Sequence, residues 1–287
     1  MPLKLHHPHA DVFVPDSMDP KTALARITHL CIAAHQDDIE ILAYHGIAEC
    51  FGREDKWFGG VVATNGSGSP RAGIYGRYSD EDMQTVRRHE QRKAAYIGEY
   101  GIQVQLAYSS SEVKDGTHIR VREDLQGLID ASQPEVLYLH NPADKHDTHI
   151  AVLVRSLEAV RSLPKERRPK KAYGCEVWRD LDWLDDGEKV MLPASKYDNI
   201  AAALIGVFDS QISGGKRYDL ATAGRRLANA TYADPRTIDT FEAVTAAIDL
   251  TPFIEDDTLS LETHTLEYIE RFKNDVRQRI GRFTSFN

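Results

Sequence analysis

The stretch HLCIAAHQDDIE, residues 29–40, decides how this 287-residue chain folds. Residues 30–34 form an unbroken apolar run, which is typical of a strand buried on both faces of a parallel sheet. His35, Asp37 and Asp38 follow directly, at the point where the predicted strand ends. We therefore expect a polar site at the carboxyl end of a buried strand.

Strand and helix patterns alternate along the first half of the chain, which is typical of a parallel sheet covered by helices. From about residue 170 the pattern loosens, and residues 240–250 have no clear period. We predict an α/β, Rossmann-like fold with a mostly parallel sheet, helices on both faces and a C-terminal α/β extension. The predicted strands are 28–34, 58–64, 103–108, 135–140 and 172–178, and the predicted helices are 40–51, 79–100, 117–132, 197–210, 216–232 and 259–283.

The length of the chain limits how many domains it can form. A chain of this length can bury the core of one large domain. We expect residues 1–24 to be an N-terminal tail and residues 25–287 to form a single domain, elaborated from about residue 180. The sequence has neither a signal-peptide pattern nor a run of about 18 apolar residues. We therefore expect a cytoplasmic protein without a membrane span.

The charge and cysteine content narrow the choice of partners. The formal net charge of −9 argues against nucleic acid, because phosphate contacts need clustered Lys and Arg. Cys31, Cys50 and Cys175 are too few for a disulfide framework. A small-molecule substrate fits this composition better, and formation of a homo-oligomer stays open.

A second polar cluster, His146-Asp147-Thr148-His149, follows the predicted strand 135–140. In open α/β sheets, ligands bind outside the carboxyl ends of the strands. We therefore expect the two clusters to line one binding site at that edge of the sheet. His35 and Asp38 are three residues apart at a strand-to-helix turn. The two histidines of the second cluster have the same spacing and share one face of a new helix.

These residue types indicate a metal site. A catalytic zinc typically takes three His or carboxylate ligands and keeps one position for water, and His35, Asp38 and His149 meet that requirement. Asp37 and His146 then remain to accept the proton of the water, stabilise the oxyanion and protonate the leaving group. We expect one zinc ion per chain, with iron or manganese as possible substitutes. For His35 and Asp38 taken alone, capping of the helix that follows is an alternative interpretation.

Both clusters resemble the signatures of one protein family. Residues 34–40, AHQDDIE, are similar to the A-H-P-D-D-x-E signature of the PIG-L/LmbE-like zinc N-deacetylases, and residues 141–149, NPADKHDTH, resemble their second signature, D-x-H-x-D-H. Residues 61–66, VVATNG, and residues 87–98, which begin with RRHE, resemble the second strand and the following helix of the family. The resemblance covers roughly residues 28–180 and is specific as a set.

The resemblance implies a Rossmann-like fold and a mononuclear zinc enzyme that removes an acyl group, usually acetyl, from the nitrogen of an amino sugar or its conjugate. It implies the same assignment that the spacing favours. His35, Asp38 and His149 would be the ligands. Asp37 would be the general base, and His146 would stabilise the tetrahedral intermediate.

Two positions depart from the family pattern. Gln36 stands where the family usually has Pro, which affects the backbone. Thr148 stands where the family usually has Asp before the ligand histidine, so the orientation of the His146 ring cannot be read from the sequence. Either Asp144 or Asp147 can take over the role of that Asp.

Four residues outside the signatures are candidates for substrate binding. Arg77 can bind a phosphate or carboxylate, although loop arginines are usually solvated. Tyr78 and Trp178 can stack on sugar rings or simply pack against neighbours. Glu176, two residues before Trp178, is expected at the rim of the site.

Two alternative functions stay open. Non-haem iron oxygenases also use two histidines and one carboxylate, usually as His-x-Asp on a β-barrel, which here would select His35 and Asp37. The alternating α/β pattern and the spare Asp38 count against that class. A relative of the deacetylases that binds metal without turnover is the other alternative, and the presence of Asp37 and His146 favours turnover.

Overall fold

The computed structural model describes residues 3–284, so the ends of the predicted tail and of the predicted domain, residues 1–2 and 285–287, lie outside the described residues. The strands are β1 (Asp11–Phe13), β2 (His29–Ala33), β3 (Phe58–Thr64), β4 (Ile102–Tyr108), β5 (Val136–His140), β6 (Lys171–Cys175), β7 (Lys189–Pro193) and β8 (Val244–Asp249). The helices are α1 (Pro20–Ala25), α2 (Asp38–Leu42), α3 (Tyr44–Cys50), α4 (Asp80–Ile97), α5 (Ser110–Lys114), α6 (Ile119–Ser132), α7 (Asp147–Arg161), α8 (Asp198–Gly206), α9 (Asp209–Ile212), α10 (Tyr218–Tyr232), α11 (Thr251–Glu255) and α12 (Leu261–Gly281).

The described residues form one eight-stranded sheet in the order β1-β4-β3-β2-β5-β6-β8-β7. The five central strands, from β4 to β6, are parallel, whereas β1, β8 and β7 join antiparallel at the two sides. The predicted α/β fold with a mostly parallel sheet is therefore confirmed. The chain runs outward from β2 to β4 and then returns to β5 on the other side of β2. The loops at the carboxyl ends of β2 and β5 diverge there and leave a crevice.

Helices cover both faces of the sheet, as the sequence predicts. Leu30 and Ile32 of β2 belong to a core with α1, α6 and α7, whereas Cys31 and Ala33 belong to a core with α2, α3, α4 and α8. Successive side chains of a strand point to opposite faces, so β2 must be apolar throughout to serve both cores. This requirement explains the unbroken apolar run before His35.

The segment predicted as a tail contributes to the fold. Residues 11–13 pair antiparallel with β4, and the Asp11 carboxylate accepts a hydrogen bond of 2.9 Å from Arg92 Nε on α4. Residues 20–25 form α1, which packs on the core. The tail prediction is wrong for these residues, because a three-residue strand is too short to show a period and its partners lie about ninety positions away. The division into a single domain stays a prediction.

Elements outside the predicted tail also differ from the sequence prediction. The helix predicted at 40–51 is interrupted at Ala43, where φ is −115°, and consists of α2 and α3. The segment without a clear period, residues 240–250, contains β8, which is held between β6 and β7. The strand predicted at 172–178 ends at Cys175. Each difference depends on tertiary pairing, which local pattern does not encode.

The C-terminal helix α12 has 21 residues and was predicted from its amphipathic pattern. Ser260 caps it by accepting a hydrogen bond from the backbone N–H of Thr263 at 3.2 Å. Within residues 3–284, no helix combines the length and the hydropathy that crossing a bilayer requires. The cytoplasmic location stays a prediction.

Candidate metal centre

The two polar clusters lie at the carboxyl ends of β2 and β5, where the strand order reverses. Residues 34–37 connect β2 to α2, and residues 141–146 connect β5 to α7. His149 lies in the first turn of α7, so it reaches His35, which is 114 positions away in the sequence. The structure therefore brings the two signatures to one place.

Three ligand-type atoms form a nearly equilateral triangle at this place. His35 Nδ1 lies 3.2 Å from Asp38 Oδ2 and 3.2 Å from His149 Nε2, and His149 Nε2 lies 3.2 Å from Asp38 Oδ2. Zinc–ligand bonds of about 2.0–2.1 Å in a tetrahedron separate the ligand atoms by about 3.3–3.4 Å. The spacing and the donor types therefore fit one tetrahedral zinc ion.

A cavity of about 310 Å³ borders this triangle at His35 and Asp38, whereas His149 is buried behind them. Its walls come from the loop after β3, from α5, from the segment after β6, and from residues between α9 and α10. Lys114 and Lys216, which the sequence analysis did not select, add two exposed cations to the wall. The lining comprises His35, Asp37, Asp38, residues 64–70, Arg87, Ser110, Lys114, His146, Thr148, Trp178, Gln211, Lys216 and Tyr218.

The predicted substrate-binding residues divide into two groups. Trp178 lies in the cavity wall, with its ring 5.1 Å from Lys216 Nζ. Arg77 and Tyr78 are exposed and lie outside the described lining of the cavity. Glu176 is buried in the wall of a neighbouring cavity of about 150 Å³, where it accepts the backbone N–H of Ala246 at 3.1 Å. For the last three residues, the expected contact with the site is not observed.

Asp144 contacts the His149 ring at the nitrogen that faces away from the triangle. His149 Nδ1 lies 3.5 Å from Asp144 Oδ2, and the same carboxylate accepts the backbone N–H groups of His146 at 3.0 Å and Trp178 at 3.2 Å. A carboxylate at the far nitrogen of a ligand histidine fixes the tautomer and increases the basicity of the other nitrogen. Asp144 therefore directs the Nε2 lone pair of His149 into the triangle.

The described residues contain a second group of ligand-type atoms, from His140, Asp144 and His149. His140 Nε2 already accepts the backbone N–H of Ala34 at 2.9 Å. Neither His140 nor Asp144 belongs to the described lining of the cavity. The group of His35, Asp38 and His149 is therefore the better candidate for a catalytic metal, because two of its three residues line the cavity and none of the other group does.

Asp37 lies beside the triangle in a strained conformation. Its φ is 93°, which non-glycine residues rarely adopt and which often marks functional sites. Although it stands at the N-cap of α2, its carboxylate pairs with Arg87 Nη2 at 3.1 Å instead of capping the helix. Burial, and secondarily the adjacent Asp38 carboxylate, raise the pKa of Asp37 above its usual range, while Arg87 opposes this rise. The carboxyl group is thus held next to the triangle by a buried cation.

Arg87 is a site residue that the sequence analysis used only as part of a family motif. Its side chain is 1% exposed, and it contacts Asp37 Oδ2, the backbone oxygen of Gln36, and Glu90 Oε2 at 3.5 Å. The helical period could have identified it, because Met83, Arg87 and Glu90 share the buried face of α4. A cation on that face needs buried anionic partners.

Replacing Arg87 with Met is expected to lower the free energy of unfolding by about 3–5 kcal/mol, because it leaves the buried carboxylates of Asp37 and Glu90 without a counter-charge. Chemical denaturation followed by circular dichroism measures this change. The neighbouring residue Arg88, which contacts the backbone oxygen of His9 at 3.4 Å, provides a matched Arg88→Met control with an expected change below about 1 kcal/mol. Equal effects of the two substitutions would contradict the role given to Arg87.

The His146 ring is oriented by the main chain of Thr148. The backbone N–H of Thr148 donates to His146 Nδ1 at 3.2 Å, and the ring packs edge-on against His35 with 4.8 Å between centroids. Because Nδ1 accepts, the neutral ring carries its proton on Nε2. Asp147 is exposed, and Asp144 serves His149. The ring is therefore oriented by a backbone donor and not by a carboxylate acceptor.

The second departure, Gln36, adds contacts that Pro would lack. Its side-chain amide donates to the backbone oxygen of Thr64 at 3.1 Å and to Gln105 Oε1 at 3.2 Å. These contacts attach the turn after β2 to β3 and β4. The side chain also lies against Gly66, where φ is 76° and an added Cβ would come 2.6 Å from Gln36 Oε1.

Comparison with known protein families gives one match, and the matched region contains both polar clusters. Residues 30–160 match the PIG-L family, described as GlcNAc-PI de-N-acetylase. The match includes both signatures and covers somewhat less than half of the chain. The resemblance read from the two signatures is thereby confirmed. No curated protein matches the chain in sequence.

Solved structures of three enzymes are similar to this chain. N,N'-diacetylchitobiose deacetylase from Pyrococcus horikoshii has a TM-score of 0.60 and 15% identity, over 79% of this chain and 85% of that one. The A40926 pseudoaglycone deacetylase has a TM-score of 0.57 and 17% identity, over 79% and 98%. The 4-carboxy-2-hydroxymuconate hydratase GalB from Pseudomonas putida KT2440 has a TM-score of 0.58 and 16% identity, over 78% of this chain and 96% of that one. These likenesses establish the fold, which occurs with more than one activity.

Proposed function

We propose that this protein is a zinc-dependent hydrolase that removes an N-acyl group, acetyl in the first instance, from an amino sugar or its conjugate. The observation that carries the proposal is the 3.2 Å triangle of His35, Asp38 and His149 atoms beside Asp37 in an open cavity. The PIG-L match and the two deacetylases with this fold support the same activity. Fe²⁺ or Mn²⁺ could occupy the same ligand set.

The residues around the triangle supply the acid–base chemistry of amide hydrolysis. Zinc bound there would act as a Lewis acid toward the acyl oxygen and lower the pKa of water. Asp37 takes the proton of the attacking water as the C–O bond forms, and returns it to the nitrogen as the C–N bond breaks. His146 donates from Nε2 to the acyl oxygen and so stabilises its negative charge. Acetate and a free amine are the products.

The same geometry counts against an iron oxygenase of the facial-triad class. Asp38 completes the triangle, whereas Asp37, which the His-x-Asp pattern would select, pairs with Arg87. The sheet is open and mostly parallel, unlike the β-barrel of those enzymes. A hydratase activity is the more serious alternative, because GalB shares the fold.

The proposal is tested by following acetate and free amine released from N-acetylglucosamine and N,N'-diacetylchitobiose. We expect both products in equal amounts, complete loss of activity after chelation, and recovery when zinc is added. GalB's substrate, 4-carboxy-2-hydroxymuconate, is the control in parallel reactions. Full activity in a sample shown to be metal-free by elemental analysis, or turnover of the hydratase substrate alone, would contradict the proposal.

A further inference from the structure

An exposed apolar stripe runs along α12, and none of its residues belongs to the described lining of the metal cavity. Its members are spaced three or four residues apart, which places them on one face of the helix. Exposure rises toward the C-terminal end, from 38% at Val276 to 58% at Ile280 and 87% at Phe283. The stripe consists of Leu266, Ile269, Phe272, Val276, Ile280 and, just after the helix, Phe283.

The first half of the stripe also lines an apolar groove of about 780 Å³. Leu266, Ile269 and Phe272 form one wall of this groove, and Ile150 and Val154 of α7 form part of the other. Val276, Ile280 and Phe283 lie beyond the described lining. The helix thus carries a groove at one end and projecting apolar side chains at the other.

We propose that α12 pairs with α12 of a second copy of this chain, antiparallel and about a two-fold axis near residues 274–275. The stripe is symmetric about this point. Leu266 then lies opposite Phe283 of the other copy, Ile269 opposite Ile280, and Phe272 opposite Val276. The projecting end of each helix enters the groove of the other, and a two-fold pair uses the same surface on both copies.

The charges beside the stripe favour the antiparallel direction. The N-terminal half of α12 carries Glu262, Glu267 and Glu270 against Arg271, whereas the C-terminal half and the residue after it carry Lys273, Arg277, Arg279 and Arg282 against Asp275. Within one helix, Glu270 accepts from Lys273 at 3.0 Å. Antiparallel pairing places Glu270 of one copy near Arg277 of the other, on the same flank of the stripe. Parallel pairing would place like charges together, which is unfavourable.

The size of the stripe fits a dimer. Full coverage of its six side chains in two copies would bury on the order of 1,200 Å² of apolar surface, the lower end of the range for stable protein interfaces. The groove walls would add to this area. Aromatic and aliphatic residues at the centre of such a patch usually dominate the binding energy.

Sedimentation velocity of the full chain at several concentrations tests the proposal. We expect a species of twice the 32.3 kDa chain mass, whose dissociation constant rises by about tenfold or more in Ile280→Asp. Gln278→Asp, which adds the same charge on the opposite, exposed side of α12, is the matched control and should leave the dimer intact. Circular dichroism checks that both variants remain folded.

A charge exchange tests the direction of pairing. Glu270→Arg alone and Arg277→Glu alone should each weaken the dimer several-fold, and the double variant should restore it, because the cross-pair is re-formed with exchanged signs. A chain that stays monomeric at all concentrations overturns the proposal, as does a dimer that is indifferent to Ile280→Asp. If the double variant dimerises more weakly than either single variant, the antiparallel arrangement is overturned. None of these outcomes depends on the catalytic proposal.

Discussion

Asp37→Asn is expected to lower kcat for N-deacetylation by about 10²–10⁴-fold, which is the usual contribution of a general base. Asn preserves the size of the side chain and an oxygen that can still accept from Arg87, so the local structure should survive. It cannot take a proton from water. Steady-state kinetics together with elemental analysis separates the loss of the base from loss of the metal, and we expect the metal content to be unchanged.

Asp147→Asn provides the matched control for this substitution. Asp147 is an exposed carboxyl residue in the first turn of α7, next to His146 but outside the described cavity lining. Its loss should change kcat by less than about threefold, since exposed surface substitutions usually have small effects. A wild-type rate in metal-loaded Asp37→Asn would show that another group activates the water.

His149→Ala is expected to weaken metal binding by more than about 100-fold, because changing a residue that merely orients a ligand already costs about 10–100-fold. It removes one corner of the triangle and leaves His35 and Asp38 as the remaining donors. Competition with a metal chelator measures the dissociation constant directly. We also expect the activity to fall to background at zinc concentrations that saturate the unmodified protein.

His146→Ala is the control for this second prediction. His146 is three residues away, has the same side chain and lines the cavity, but its Nδ1 accepts a backbone hydrogen bond. We expect this variant to keep its metal and to lose activity. If His146→Ala released the metal and His149→Ala retained it, the ligand assignment would have to be exchanged.

The sequence was sufficient to predict the parts of the site that are local in the chain. The apolar run before His35 and the three-residue spacings follow directly from strand burial and helix geometry, and they led to the triangle. The helical period of α4 marks position 87 as buried, but the partner of Arg87 could not be predicted, because Asp37 is fifty positions away in the sequence. The same reason applies to Asp144, whose contact with His149 depends on the conformation of a loop.

The substrate-facing wall was the least predictable part of the site. Arg77 and Tyr78 were selected by residue type, yet they are exposed and outside the described lining, and the loop after β3 contributes residues 64–70 instead. Lys114 and Lys216 belong to no motif, and they reach the cavity only because α5 and the α9–α10 connection lie over the crevice. The strands β1 and β8 were not predicted because neither has a local period, and each forms only by pairing with distant parts of the chain.

Anomalous X-ray scattering from crystals of the zinc-loaded full chain tests the central claim most directly. We expect one strong peak per chain, about 2.0–2.2 Å from each of His35 Nδ1, Asp38 Oδ2 and His149 Nε2, with an open position toward the cavity. A peak between His140 and Asp144, a peak only at another place on the chain, or no peak at all would contradict it.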